Sequence, residues 1–351
     1  MRPKFHAWFV QLLDEVAANI LLHNFLWYRR HPPASGPRAA ECPGLYSGEP
    51  AEFYSPVPAP MDLDADRLRV HETASATVSD FRFDSETTTA WPENDRAWGR
   101  HWRTKAPDRG LTVVGVDGIV QLGTRWFRRL ARELAPRGVD VVTMDAPFNY
   151  RRTPAGYRPG QLIVSGDMAH QLAVTRQAVL DLWKLIVSLQ AAGRRVGLVG
   201  VSYGGWITLL TSLLTADLEF LIAVVPPVDI TSMLREGGTI VRSIRRGIGH
   251  APLERLELER LAKPVVPLHW PSALPGHRIS LHAARYDRLA PCHGIEKLAQ
   301  AWQTRLTLHS RAHFQLANST SIFPQIADEV CDFAFSPSAH AVVSDNVLVT
   351  C

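Results

Sequence analysis

Cysteine is scarce in this chain of 351 residues, with only Cys42, Cys292, Cys331 and Cys351. They are scattered, without a C-x-x-C pair or a ladder of spacings. That argues against a zinc site or a disulfide framework and fits a reducing cytoplasm. An excess of one charge is also missing. The net charge is +4 and no long basic block concentrates it, so nucleic acid is not an expected partner. No uncharged apolar run is long enough to span a bilayer. Phe5 to Trp27 comes nearest, but Asp14, Glu15 and Asn19 interrupt it and no small-residue cleavage site follows. Neither a membrane span nor a cleavable signal is expected. Internal repeats and low-complexity tracts are absent too. What is present is 46% hydrophobic and 21% charged residues, the balance of a globular chain large enough to bury a substantial core.

The N-terminal apolar residues Phe5, Trp8, Phe9, Leu12, Leu13, Val16 and Ile20 recur at helical spacing and predict an amphipathic helix. Its apolar face is expected against the body of the protein or a second subunit. Attachment to a membrane surface is the alternative, favoured by Arg2, Lys4, Arg29 and Arg30 at its ends. A Pro- and Gly-rich arm, His31 to Pro60, follows. Residues 1–60 thus form a helix and arm, 61–335 the main domain, and 336–351 a short, mixed tail expected to be mobile.

Alternation at Val78, Phe81 and Phe83 predicts edge strands, continued at Arg100 to Thr104. From Leu111 the rhythm becomes α/β. Short buried strands are predicted at Leu111–Val116, Val139–Met144, Val196–Val201, Phe220–Val225, Arg278–His282 and Arg305–Leu308. Helices are predicted at Trp126–Leu134, Asp167–Leu189, Gly204–Leu214 and Ser321–Phe333. Continuous apolar strands separated by helices imply a mostly parallel sheet covered on both faces. The loops after its strands then share one edge, where sites form. Residues 226–275 break the rhythm and read as a cap over that edge.

One strand runs into Gly200-Val201-Ser202-Tyr203-Gly204, a G-x-S-x-G motif followed at once by a helix. A serine on so sharp a turn projects its hydroxyl above the sheet, and flanking glycines avoid collisions with the neighbouring strand and helix. A serine hydroxyl is a poor nucleophile at neutral pH and needs a base, itself oriented by a third group. Asp287 follows one later strand and His313 the next, giving the order Ser, acid, His at successive strand ends. Asp287 also reads as a helix cap or as a partner of Arg285 or Arg288. Asp229, after the preceding strand, is a rival acid. His309 is a rival base, although its place inside a strand suits packing. His170 on the long helix could approach the site, but it reads better as an exposed histidine.

From Thr77 to Phe333 these residues resemble the α/β-hydrolase superfamily. Asp145-Ala146-Pro147-Phe148-Asn149-Tyr150-Arg151-Arg152-Thr153-Pro154 and the Gly-Val-Ser-Tyr-Gly-Gly turn are more narrowly similar to a branch of the alpha/beta hydrolase domain proteins, a likeness that brings no substrate with it. The resemblance implies an α/β-hydrolase fold with Ser202 as nucleophile, His313 as base and Asp287 as its orienting acid. It further implies an oxyanion hole built from the backbone N–H of Tyr203 and a second N–H after the first central strand, by position that of Ile119. Where many relatives carry His-Gly, this chain has Asp117-Gly118. A carboxylate there opposes a developing oxyanion unless turned away or neutralised, and Arg125 and Arg151 are its candidate partners.

The expected activity is that of a serine hydrolase cleaving a carboxylic ester of a small acyl substrate through an acyl-enzyme, with no metal or organic cofactor. Thioesterase, peptidase or acyltransferase chemistry uses the same triad. A non-catalytic ligand-binding or membrane-surface protein of this fold is the reading from a different class. Arg151, Arg152 and Arg158 suggest an anionic substrate, or else solvated surface arginines.

Overall fold

The computed structural model describes residues 10–12, 14–16, 48–65, 67–119, 124–163, 168–230, 233, 262–336 and 347–350. Most of the expected cap and most of the N-terminal helix and arm lie outside these residues.

Among the described residues ten strands form one sheet in the order β1-β2-β3-β5-β4-β6-β7-β8-β9-β10. The edge strands β1 (Leu68–Glu72), β2 (Ala76–Asp84) and β3 (Arg96–Thr104) are antiparallel, and β3 also pairs antiparallel with β5. From β5 (Asp140–Met144) through β4 (Leu111–Val116), β6 (Arg195–Val201), β7 (Leu221–Val224), β8 (Ile279–Ala284) and β9 (Arg305–His309) every pairing is parallel. Every residue of β4, β5, β7 and β8 is buried, as expected of strands covered on both faces. β10 (Val347–Thr350) adds to β9 in parallel. The tail therefore contributes a strand, where its mixed composition led us to expect mobility.

Helices cover both faces. On one side Arg125–Leu134 packs against Ile322–Phe335. Trp126, Phe127, Leu130, Ala131 and Leu134 fall on a single stripe of the first of these helices and are buried. Burial of each large side chain contributes about 1.5–3 kcal/mol. The Trp126 indole N–H also donates to the Ala317 carbonyl at 2.8 Å, so its one polar atom is satisfied. On the other side the long helix Met168–Ala191 packs on Tyr203–Thr211. A helix at Cys292–Trp302, missed by periodicity, buries Ile295, Leu298 and Trp302 in the same core. Among the described residues no helix is long and apolar enough to cross a membrane.

Candidate active site

The turn after β6 places Ser202 at φ 54°, ψ −120°, a strained left-handed backbone for a residue other than glycine. Its N–H donates to the Val224 carbonyl at 2.8 Å and its carbonyl accepts from the Trp206 N–H at 3.1 Å, so strand and helix hold the turn from both ends. The flanking glycines are required by contact. A Cβ on Gly204 would lie 1.8 Å from the Val116 carbonyl oxygen, and one on Gly200 would lie 2.5 Å from the Gly204 oxygen. The motif therefore brings the serine helix hard against β4.

Three side chains from the ends of β6, β8 and β9 meet in a line. Ser202 Oγ lies 2.9 Å from His313 Nε2, and His313 Nδ1 lies 2.7 Å from Asp287 Oδ2. The other carboxylate oxygen, Asp287 Oδ1, accepts the N–H groups of Leu289 at 2.8 Å and Ala290 at 2.7 Å. The acid thus folds its own loop while orienting the imidazole. His313 is buried, which alone would lower its pKa. The Asp287 charge and hydrogen bond, with Asp14 adding to them, outweigh burial and leave the pKa raised.

The rival residues are engaged elsewhere. His309 lies in β9 with Nε2 3.1 Å from His282 Nδ1, and His282 Nε2 faces Glu329 Oε2 at 3.2 Å. Burial and then His282 hold the His309 pKa down to about 4, so that ring is neutral under ordinary conditions. His170 is buried, contrary to expectation. Its Nε2 lies 2.8 Å from the Leu162 carbonyl oxygen, and its ring packs edge-on against Trp91. Asp229 lies beyond β7, whereas the acid facing the His313 ring is Asp287.

Tyr203 opens the helix after the turn, so its N–H has no intrahelical acceptor. Ile119 lies three residues beyond β4, where a Cβ on Gly160 (φ 81°) would come within 2.8 Å of its side chain. The loop carrying Gly160 therefore packs directly on the turn after β4.

Asp117 on that turn is buried, and among the described residues its Oδ1 finds no hydrogen-bond partner. Neither candidate cation reaches it. Arg125 is exposed, and Arg151 instead contacts Asp80 at 3.2 Å and Asp145 at 2.7 Å. Burial, followed by the neighbouring Asp145, pushes the Asp117 pKa well above the carboxylate range. Burial thus favours the protonated form, and a neutral acid does not repel an oxyanion.

This has a measurable consequence for stability. Above about pH 4 the unfolded chain ionises Asp117 while the folded protein keeps the proton. Stability then falls as pH rises, until the folded-state pKa is passed. Asp117→Asn should remove that slope and raise the melting temperature at about pH 8 while leaving it unchanged near pH 3.5. A loss of melting temperature at both pH values would show that the carboxyl makes a stabilising contact instead.

The arginines proposed for an anionic substrate divide differently. Arg152 is fully buried in an ion pair with Asp181, and Arg151 is held by its two carboxylates. Only Arg158 is exposed. A pair of adjacent arginines on a loop reads as solvated charge, because nothing in the sequence marks the distant Asp181 as a partner.

A mostly parallel sheet with antiparallel edge strands, helices on both faces and a serine turn after β6 is the α/β-hydrolase fold. Solved structures bear this out. The acetyl xylan esterase 1 from Thermoanaerobacterium sp. is 15% identical over 80% of this chain and 96% of its own, with a TM-score of 0.55. The puromycin-hydrolysing peptidase of Mycobacterium tuberculosis is 16% identical over 80% of this chain, with a TM-score of 0.56, but the match spans only 42% of the peptidase. An S-formylglutathione hydrolase from Agrobacterium tumefaciens is 12% identical over 77% of this chain and 98% of its own, with a TM-score of 0.53. The sequence matches no family model and no curated protein.

Proposed function

We propose that this protein is a serine hydrolase that cleaves carboxylic esters of small acyl substrates through an acyl-enzyme. The observation that carries this reading is the hydrogen-bonded line from Ser202 Oγ through His313 to Asp287, built on a strained turn above the sheet. Ser202 Oγ attacks the acyl carbonyl carbon as His313 Nε2 takes its proton. The tetrahedral oxyanion forms beside the free N–H of Tyr203, with the Ile119 N–H as second donor. One such donor lowers the barrier by about 3 kcal/mol. The carbon–oxygen bond then breaks, and His313 returns the proton to the departing alkoxide. A water, deprotonated by the same imidazole, then attacks the acyl carbon; the bond to Ser202 Oγ breaks, Oγ takes back the proton from His313, and the acid is freed.

Solved neighbours named esterase, peptidase and S-formylglutathione hydrolase share the carbonyl step while their leaving groups differ. The ester reading asks less of the site than an amide would, because an alkoxide departs more readily than an amide anion and an ester lacks the amide's resonance stabilisation. Thioester hydrolysis and acyl transfer to an alcohol would use the same three residues. The free thiols Cys292 and Cys331 suit a reducing compartment such as the cytoplasm.

The test is covalent. A fluorophosphonate probe should label the folded protein once, at the peptide containing Ser202 by mass spectrometry, and Ser202→Ala should abolish the label. A folded wild type that stays unlabelled would overturn the reading.

A further inference from the structure

Among the described residues of the N-terminal helix, Leu12 and Val16, which apolar spacing places on the inner face, are exposed. In the described part, residues 10–12 and 14–16 are helical, with Val10 and Asp14 buried while Leu12 and Val16 are 42% and 49% exposed. Val10 and Asp14 are one turn apart on one side of the helix. An acid replaces an apolar residue on the inward face, and it has a partner: Asp14 Oδ1 accepts the Phe314 N–H at 2.8 Å. Phe314 directly follows His313. The next residue, Glu15, pairs with Arg288, which directly follows Asp287.

We propose that this turn of the N-terminal helix is a strap across the two loops that carry the base and the acid, with Asp14 as a positioning residue for His313. The inference rests on the serine hydrolase reading for its catalytic meaning. The two contacts are unequal. The Glu15–Arg288 pair is half-exposed and contributes little alone, whereas the Asp14 carboxylate is buried and accepts an N–H in the first turn of the helix His313–Ala317, which has no acceptor within that helix. Without that carboxylate the Phe314 N–H would lose its acceptor, and the segment that aims the imidazole would lose its anchor. Among the described residues the charged groups facing Asp14 are His313 and Asp287, with Glu15 and Arg288 forming the outer pair.

Asp14 also acts on His313 by charge. Burial first, with Asp287, raises the Asp14 pKa, and His313 and the Phe314 N–H oppose the rise. The Asp14 charge in turn favours the imidazolium of His313. Removing that charge lets the base become neutral at lower pH, so the acid limb of kcat/KM must move down.

The experiment compares full-length wild type, Asp14→Ala, Asp14→Asn and Leu12→Ser, each checked for folding by near-UV circular dichroism. The readouts are p-nitrophenyl butyrate kinetics across pH and the His313 titration followed by histidine-labelled NMR. Asp14→Ala should lose about 10-fold or more in kcat with little change in KM, as expected when a reacting group is misplaced. Asp14→Asn keeps an acceptor for Phe314. It should retain most of the plateau rate while both its acid limb and the His313 titration move to lower pH. Leu12→Ser, on the exposed face of the same helix, should match wild type. Wild-type kinetics and an unmoved His313 titration in both Asp14 variants would overturn the strap. If wild type fails to turn over the ester, the hydrolase reading falls, and the NMR titration, which needs no turnover, still decides the strap.

Discussion

Ser202→Ala and His313→Ala should each reduce kcat on p-nitrophenyl butyrate by about 10,000- to 1,000,000-fold, and the double variant should lose no more than either single one. That factor corresponds to about 5–8 kcal/mol of transition-state stabilisation. The lack of additivity follows from the geometry. The imidazole at 2.9 Å from Ser202 Oγ has no proton to take once the hydroxyl is gone, and the hydroxyl is inert without the imidazole. Asp287→Asn should cost about 10,000-fold while leaving the fold intact. An amide nitrogen facing Nδ1 would favour the tautomer whose Nε2 carries a proton and cannot accept one from serine. Residual activity in the variants would come from the backbone donors at Tyr203 and Ile119 and from binding. Single substitutions whose effects add in full would show that the two groups act in separate steps, and the relay through His313 would then be wrong.

Much of the sheet was legible in the sequence because the parallel strands are short runs of apolar residues buried on both faces. β4 through β9 fall within a few residues of the predicted segments. The order of serine, acid and histidine was equally legible, since each lies where a strand ends. Other features carried no such signal. β1 exposes four of its five residues, so it shows no apolar alternation and is held by pairing with β2. The helix Cys292–Trp302 follows a proline and mixes polar with apolar residues, and tertiary packing decides it. Asp14 was read only as an interruption that excludes a membrane span. Its buried place comes from a hydrogen bond to a residue 300 positions away, which no periodicity can register. Asp117 could be flagged as anomalous from sequence, but its protonation depends on burial and on Asp145, both products of the fold.

The other large effect is on stability, and it comes from Arg152. The guanidinium and the Asp181 carboxylate are both fully buried, with Nη1 2.8 Å from Oδ2. The remaining donors reach the Asn94 carbonyl oxygen at 2.9 and 2.7 Å and the Asp145 carbonyl oxygen at 3.2 Å. Asp181 in turn accepts the Ser85 hydroxyl at 2.7 Å, and Gln177 joins Ser85 to Asn94. Arg152→Met should therefore cost about 3–5 kcal/mol, because it strands a charge in the interior. That is a large share of the 5–15 kcal/mol typical of a folded domain. Desolvating two charges is itself expensive, so replacing both partners should be far milder than the sum of the single changes. The double variant Arg152→Met/Asp181→Leu should recover most of the loss in urea unfolding. If it were instead as unstable as the two single variants combined, the hydrogen bonds to Asn94 and Asp145, and not the ion pair, would be holding the loop. The loop matters to chemistry because Gly160, bonded through its N–H to the Phe148 carbonyl at 3.0 Å, packs on Ile119. Loosening Arg152 should consequently lower kcat as well as stability in the molecules that stay folded, by releasing the turn proposed to offer the second oxyanion donor.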